Sequence, residues 1–325
     1  GLTPQTCYSL SAITINVGPR EASTVPSQQI SNFQSLPPES PHEIALPSCL
    51  SLSYASGRMS NRIDVTFEQL RSEGKKAFVA YLSACDPNFD RSLEILRALA
   101  DAGVDAIELG VPFSDPLADG IVNQMAAGRA LKAGCNTRMV FELIKRFRET
   151  HQVPIILFTY LNPVYTYGFQ AYHRDAVEVG ADGILLLDLP PDEAIQNPEL
   201  ASSEGLHHIR LIAPTTPAPR VKLLAQSAQG FIYALSRTGV TGSHGAPSDQ
   251  IGQLIAAIKQ HSDIPVCVGF GIATPEQAAL VAAVSDGIVV GSAIVKQVEL
   301  NADSPKIAAK VAAFTKPLIE AAKGA

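Results

Sequence analysis

The chain has 325 residues, a formal net charge of −6, 46% hydrophobic residues and 17% charged ones. That is ample apolar material for one large core, and mild acidity without a basic stripe argues against nucleic acid as the main partner. The longest apolar runs, such as Gly183 to Leu187 and Gly287 to Val290, are strand-sized and too short to span a bilayer.

Residues 1–58 are rich in Ser and Pro, as in Pro37-Pro38-Glu39-Ser40-Pro41, lack lysine and show no sustained period. Such a segment cannot bury enough apolar surface to offset chain entropy, so disorder is expected there. The first methionine is Met59, and the functional protein is expected to start near it. The preceding segment then reads as upstream sequence or as a Ser-rich organelle transit peptide, although only Arg20 and Arg58 are basic. Cytoplasm is the expected location, or a plastid if the segment is such a peptide. From Met59 to Ile63 an amphipathic stretch opens, with Val65, Phe67 and Leu70 among polar residues.

From Ala77 onward strand-like and helix-like segments alternate. Ala77–Leu82 reads as a first strand, Asp90–Ala102 as a helix with Leu93, Leu96, Leu99 and Ala100 on one face, and Ala106–Leu109 as a second strand. Pro154–Phe158, Gly183–Leu187, His208–Ile212, Gly230–Leu235, Pro265–Val268 and Gly287–Val290 supply six more. Short continuous apolar runs are what parallel strands covered on both faces require. Eight of them separated by helices predict an α/β fold of the closed (β/α)8 TIM-barrel class over residues 59–325. No GxGxxG follows the first strand, which weakens a dinucleotide-binding reading.

The five cysteines, Cys7, Cys49, Cys85, Cys135 and Cys267, are scattered and show no CxxC or Cys/His spacing. They read as thiols in a reducing compartment, not as a disulfide framework or a zinc site. His207 and His208 are adjacent, so on a strand they face opposite ways and cannot share one metal. No metal is expected.

Barrel enzymes do their chemistry at the carboxyl ends of the strands. Glu108 lies inside the second strand between Ile107 and Leu109, which point the other way, so Glu108 is predicted to face the interior. Burial there would raise its pKa and suit it to proton transfer near neutral pH. The competing reading is a structural glutamate held by an interior salt bridge. Asp119 follows in the loop Pro112-Phe-Ser-Asp-Pro-Leu-Ala-Asp-Gly120, where Asp115 and Asp119 serve equally well as turn or helix caps. Later, Ser236-Arg-Thr-Gly-Val-Thr-Gly242, Gly269-Phe-Gly271 and Gly291-Ser-Ala293 follow the last three strands. Their glycines let backbone N–H groups approach a phosphate, and a helix opening at Ser292 would add its positive end. Together the three loops favour a phosphorylated substrate.

At these residues the chain resembles the tryptophan synthase alpha family. Ile107-Glu-Leu-Gly-Val-Pro-Phe-Ser-Asp-Pro-Leu-Ala-Asp-Gly120 is similar to the family signature almost residue for residue. Leu235 to Gly242, Val268 to Ile272 and Val290 to Val295 match three further stretches in order. The resemblance implies a lyase that cleaves indole-3-glycerol phosphate to indole and glyceraldehyde 3-phosphate. It implies Glu108 as general acid-base and Asp119 as the acid that bonds the indole N–H. It also implies that Tyr233, Gly242, Phe270, Gly271, Gly291 and Ser292 bind substrate, and that Arg237 to Gly242 belong to a closing loop. A partner beta subunit in an alpha2-beta2 tetramer follows from it. Pyridoxal phosphate would belong to that partner, with no cofactor in this chain, and Pro112, Asp115, Pro116, Asn162 and Pro190 match positions near the interface. The chain departs from the family at Ser83 (usually Thr), Cys85 (usually Gly) and Ile121-Val122 (usually Pro-Thr). A stand-alone lyase, another phosphate-binding barrel enzyme and a non-catalytic activator of the beta subunit stand as alternatives.

Overall fold

The computed structural model describes residues 61–190, 193, 205–236, 247–269 and 271–325. The expected boundary near residue 58, and the segment before it, lie outside the described residues. Among the described residues the strands are β1 (Ala77–Ser83), β2 (Ala106–Gly110), β3 (Ile155–Thr159), β4 (Gly183–Leu186), β5 (His207–His208), β6 (Arg210–Ile212), β7 (Ile232–Leu235), β8 (Val266–Gly269) and β9 (Gly287–Val290). The helices are α1 (Arg62–Ser72), α2 (Phe89–Ala102), α3 (Ile121–Lys132), α4 (Thr137–Arg148), α5 (Leu161–Tyr167), α6 (Phe169–Glu178), α7 (Ala218–Ser227), α8 (Pro247–Lys259), α9 (Pro275–Ala282), α10 (Ser292–Leu300) and α11 (Ile307–Lys323). No helix among them is long and apolar enough to cross a membrane.

Every strand pairing is parallel, in the order β5-β4-β3-β2-β1-β9-β8-β7-β6. The two ends of that ladder, β5 and β6, are separated by Ile209 alone, so one stretch of chain joins them and completes a (β/α)8 barrel. The single strand expected over His208–Ile212 is therefore two. The cause is Gln229: its side chain accepts from the His208 N–H at 3.0 Å and its own N–H donates to the His208 carbonyl at 3.3 Å. These bonds replace ladder bonds to β7. Two other strands start one residue later than expected, after Pro154 and Pro265. Each proline accepts a bond, from Ile107 and Ile232 respectively, but has no N–H to donate.

Alternation divides the core in two. Ala77, Val79, Ala106, Ile156, Leu185, Ile209, Phe231, Cys267 and Val289 pack together inside the barrel. Phe78, Ala80, Leu82, Ile107, Leu109, Ile155 and Leu157 face outward into the shell under the helices. Helix α1 plugs the amino-terminal end, where Ile63, Phe67 and Leu70 join the interior set and the Phe67 and Phe231 rings lie 5.6 Å apart. Val65 is 48% exposed because it falls on the opposite face of the helix.

Polar bonds hold that plug. Asn61 caps α1 by accepting from the Ile63 N–H, and its Nδ2 donates to the Asp182 carbonyl at 2.8 Å. The buried Asp182 carboxylate accepts from Arg62 and Arg148, both at 2.7 Å, and from the Ile155 N–H at 2.8 Å. Removing one partner of such a buried group costs about 3–5 kcal/mol, so this cluster keeps the plug seated.

A second buried polar pair does the opposite. His173 of α6 and His208 of β5 have ring centroids 5.4 Å apart, and neither Nε2 has a hydrogen-bond partner among the described residues. Burial lowers the pKa of His173, and burial with the charges of His173, Arg210 and His207 holds His208 down to about 3. Unfolded histidine protonates near pH 6.5 while His208 stays neutral well below it. Below about pH 6.5 His208 therefore withdraws up to ~1.4 kcal/mol of stability per pH unit, and the lowered pKa of His173 acts in the same direction. Urea unfolding between about pH 7 and pH 5 is expected to show a loss of roughly 2 kcal/mol from His208 that is absent in His208→Phe. Parallel pH curves for the two proteins would contradict this.

Candidate active site

All five residues of β2 are buried. Ala106 belongs to the interior set and Ile107 and Leu109 to the outer shell, so Glu108 points inward. Its side chain is fully buried, and neither carboxyl oxygen has a hydrogen-bond partner among the described residues. No cation pairs with it there, so the salt-bridge alternative is not what holds it. An ionised carboxylate in such a place costs several kcal/mol. Burial alone accordingly raises the Glu108 pKa to about 8. The group is a neutral carboxylic acid at pH 7, with a proton to give.

Two tyrosines share this interior. Tyr81 of β1 stands opposite Glu108 in the ladder, and Tyr233 of β7 stands opposite Leu211 and Cys267. Burial pushes both phenols well up, and the Glu108 and Asp119 carboxyl groups push the same way. Room for the phenols comes from glycine. A Cβ on Gly110 would lie 2.5 Å from the Tyr81 hydroxyl, and one on Gly269 would collide with the Tyr233 hydroxyl. Phe158 packs edge-on against Tyr81, with centroids 5.1 Å apart.

The loop after β2 is shaped by short-range bonds. The Asp119 N–H donates to the Pro116 carbonyl at 3.0 Å, and the Leu117 N–H to the Asp115 carbonyl at 2.9 Å. The N-cap of α3 is Gly120, without a side-chain bond, so Asp119 is not the helix cap that its position allowed. Its carboxylate instead accepts from the Tyr160 hydroxyl at 2.9 Å, and that hydroxyl accepts from the Ala118 N–H at 2.9 Å. Burial raises the Asp119 pKa, against hydrogen bonds from Tyr160 and Asn123. Asp115 is exposed and bonded to Ser114. Tyr160 and Tyr81 were not singled out from the sequence. The inward parity that marks Glu108 also marks Tyr81, whereas nothing local ties Tyr160 to a carboxylate 41 positions away.

Of the expected phosphate positions, Gly271 is exposed just after β8 with φ of 79°, a conformation that glycine adopts without strain. Gly291 is the N-cap of α10, and a Cβ there would lie 3.4 Å from the Tyr81 Cβ, which places this loop beside the Glu108 strand pair. Ser292 is exposed and opens α10, whose first turn holds no acidic residue. The free N–H end of a helix favours an anion. Gly242, Phe270 and the stretch Arg237 to Gly242 lie outside the described residues. Cys85, where the family usually has glycine, keeps a glycine-type backbone with φ of 61°.

Residues 67–323 match the family model described as tryptophan synthase alpha chain. The tryptophan synthase alpha chain of Opitutus terrae is 48% identical over 264 residues, 81% of this chain and 99% of that one. That of Desulfatibacillum aliphaticivorans is 45% identical over 259 residues, 80% of this chain and 98% of that one. Among solved structures, tryptophan synthase subunit alpha from Legionella pneumophila str. Paris has a TM-score of 0.73 at 35% identity, covering 81% of this chain and 99% of the other. Tryptophan synthase from M. tuberculosis in its aminoacrylate-bound form gives 0.72 at 31% identity, covering 81% and 100%. The family match spans the barrel, both acids and the last three loops, and this chain belongs to the tryptophan synthase alpha chain family.

Proposed function

We propose that this chain is a carbon-carbon lyase that splits indole-3-glycerol phosphate into indole and glyceraldehyde 3-phosphate. The reading rests on one observation above all, the dry, unpaired Glu108 carboxyl whose pKa lies near 8. Glu108 gives its proton to C3 of the indole ring. Positive charge then develops on the ring nitrogen, and the Asp119 carboxylate, held by Tyr160, accepts the N–H bond and stabilises it. The Glu108 carboxylate left behind takes the proton from the side-chain hydroxyl next to C3. As the aldehyde forms, the C3–C bond breaks and its electrons return to the ring. One proton leaves the acid and one returns, so the enzyme ends as it began.

Tyr233 lines the ring site, and the phosphate sits on Gly271, Gly291 and Ser292, with Gly242 and Phe270 completing the substrate contacts. That arrangement puts the binding energy at the far end of the substrate and leaves the acids at the reacting carbon. A barrel enzyme of a different reaction would need another use for an inward acid on β2, and nothing favours one.

The partner in this reading is a beta subunit, in an alpha2-beta2 tetramer, and pyridoxal phosphate belongs to that subunit. Support comes from exposed apolar side chains at the carboxyl end of the barrel. Leu117 is 92% exposed, Ile121 75%, Met125 53% and Tyr165 70%. Ile121 and Met125 stand one turn apart on α3, where a family Pro-Thr would be less apolar. Beside them Phe113, Asn162, Pro163, Arg138 and Tyr167 line a cavity of about 400 Å³. Clustered exposed apolar groups mark an interaction surface. The names of the relatives favour the subunit over a stand-alone lyase. A reducing compartment such as the cytoplasm suits the free buried thiols of Cys85, Cys135 and Cys267.

Glu108→Gln keeps the shape and the hydrogen-bonding capacity of the neutral acid but has no acidic proton. It is expected to lower indole release at least roughly 1,000-fold while substrate affinity, measured by calorimetry, changes less than a few fold. Near-normal turnover would overturn the role of Glu108. Replacing Met125 and Tyr165 together by Glu is expected to weaken association with a purified beta subunit by about tenfold or more. Unchanged affinity in a titration would place the contact elsewhere.

A further inference from the structure

Helix α5 begins at Leu161, and its N-cap, Tyr160, makes no side-chain bond to the helix. The first N–H groups of a helix have no partner within it. Here one is supplied by the neighbouring stave: Asp188 Oδ1, in the loop after β4, accepts from the Leu161 N–H at 2.6 Å. The sheet itself sets Asp188. One residue before it, the Leu187 N–H still donates to the Thr159 carbonyl at 3.0 Å and continues the β3–β4 ladder. The Asp188 carboxylate therefore stands where β4 leaves the barrel, although its side chain is exposed.

Tyr160, fixed at its backbone by that bond, reaches the loop after β2 with its side chain. Its ring is buried, with its centroid 5.3 Å from that of Phe113. Its hydroxyl accepts from the Ala118 N–H and donates to Asp119 Oδ2, both at 2.9 Å. A phenolic oxygen that already accepts an N–H has its own proton left to give, so the hydroxyl is aimed at the carboxylate. A carboxylate bonded in this way keeps acceptor sites for a further donor. Loops after β2, β3 and β4 are thus joined in one run of short bonds, from Asp188 through the start of α5 to Asp119.

We propose that Asp188 is a positioning residue for Asp119, acting through Tyr160. What Asp119 does rests on the lyase reading above; how it is held rests on these bonds alone. Asp188 fixes the backbone from which the Tyr160 side chain leaves, and the Tyr160 hydroxyl fixes the carboxylate. Without the Asp188 bond the start of α5 is released and the hydroxyl drifts from Asp119. The acid that must meet charge on the ring nitrogen then loses its aim and a donor that favours its ionised form. Burial raises the Asp119 pKa, and the Tyr160 bond is the first influence opposing it. The other titratable groups of this interior are Glu108 of β2, Tyr81 of β1 and Tyr233 of β7. All three are raised by burial and uncharged where a carboxylate titrates. Asp115, on the same loop, is exposed and bonded to Ser114.

The test uses the full chain and two readouts. One is the rate of indole release from indole-3-glycerol phosphate. The other is the Asp119 titration, followed by NMR of isotope-labelled aspartate carboxyls and assigned by its loss in Asp119→Asn. Tyr160→Phe removes only the hydroxyl. It is expected to lower kcat about tenfold with KM changed less than about twofold, and to raise the Asp119 midpoint by about one pH unit. Asp188→Ala, at an exposed position, is expected to lower kcat about fivefold and raise the midpoint by roughly half a unit. Removing a negative charge by itself would lower that midpoint, so the upward direction marks the relay. Asp188→Asn keeps an acceptor oxygen and is expected to restore both readouts. In a Tyr160→Phe chain, Asp188→Ala is expected to add less than about twofold in kcat and no further shift, because the route is already cut. An Asp188→Ala chain with wild-type kcat and an unmoved midpoint would overturn the proposal, as would losses that repeat in full on top of Tyr160→Phe. A wild-type chain that releases no indole would overturn the lyase reading instead, and the midpoints then decide the relay.

Discussion

The structure turns on a carboxyl group placed where water cannot reach it and nothing among the described residues pairs with it. Most buried acids are stabilised by a cation or by several N–H donors. Asp182, on the same fold, has two arginines and a backbone N–H. Glu108 has none of these, and the fold keeps it protonated instead. The two acids show two ways to bury a carboxyl group, one ionised and fully bonded, the other unpaired and protonated.

Keeping an unpaired acid costs stability, and the rest of the barrel offsets it. Helix α1 seals the amino-terminal end with Ile63, Phe67 and Leu70, so water has no route to Glu108 from below. At the other end the glycines that close β2 and β8 leave room for the Tyr81 and Tyr233 phenols, which fill the interior around the acid. Asp119, by contrast, sits half-exposed on a loop and is held through Tyr160, itself placed at the end of β3. One acid is on a rigid stave and the other on a loop that several short-range bonds shape.

Much of this was legible in the sequence, and the limits have physical causes. Strand alternation has a period of two, so Ile107 and Leu109 outward require Glu108 inward, and that inference needs no knowledge of distant residues. The same parity would have found Tyr81. What a segment does with a residue far along the chain cannot be read this way. The split between β5 and β6 depends on Gln229, and the Asp119 carboxylate bonds to Tyr160 while Gly120 is the N-cap of the next helix. A short apolar cluster such as Val65, Phe67 and Leu70 does not say which of its members meets the barrel.

The central claim is that the interior of this barrel holds the Glu108 carboxyl in its neutral form through physiological pH. Difference infrared spectroscopy, wild type minus Glu108→Gln, isolates the C=O stretch of that one acid and follows it across pH. The account predicts a protonated carboxyl that titrates with a midpoint near 8, since burial raises the pKa and loss of the proton is delayed to higher pH. A midpoint near 4.5, the ordinary value for glutamate, would mean that water or a cation reaches the group, and would contradict the account at its base.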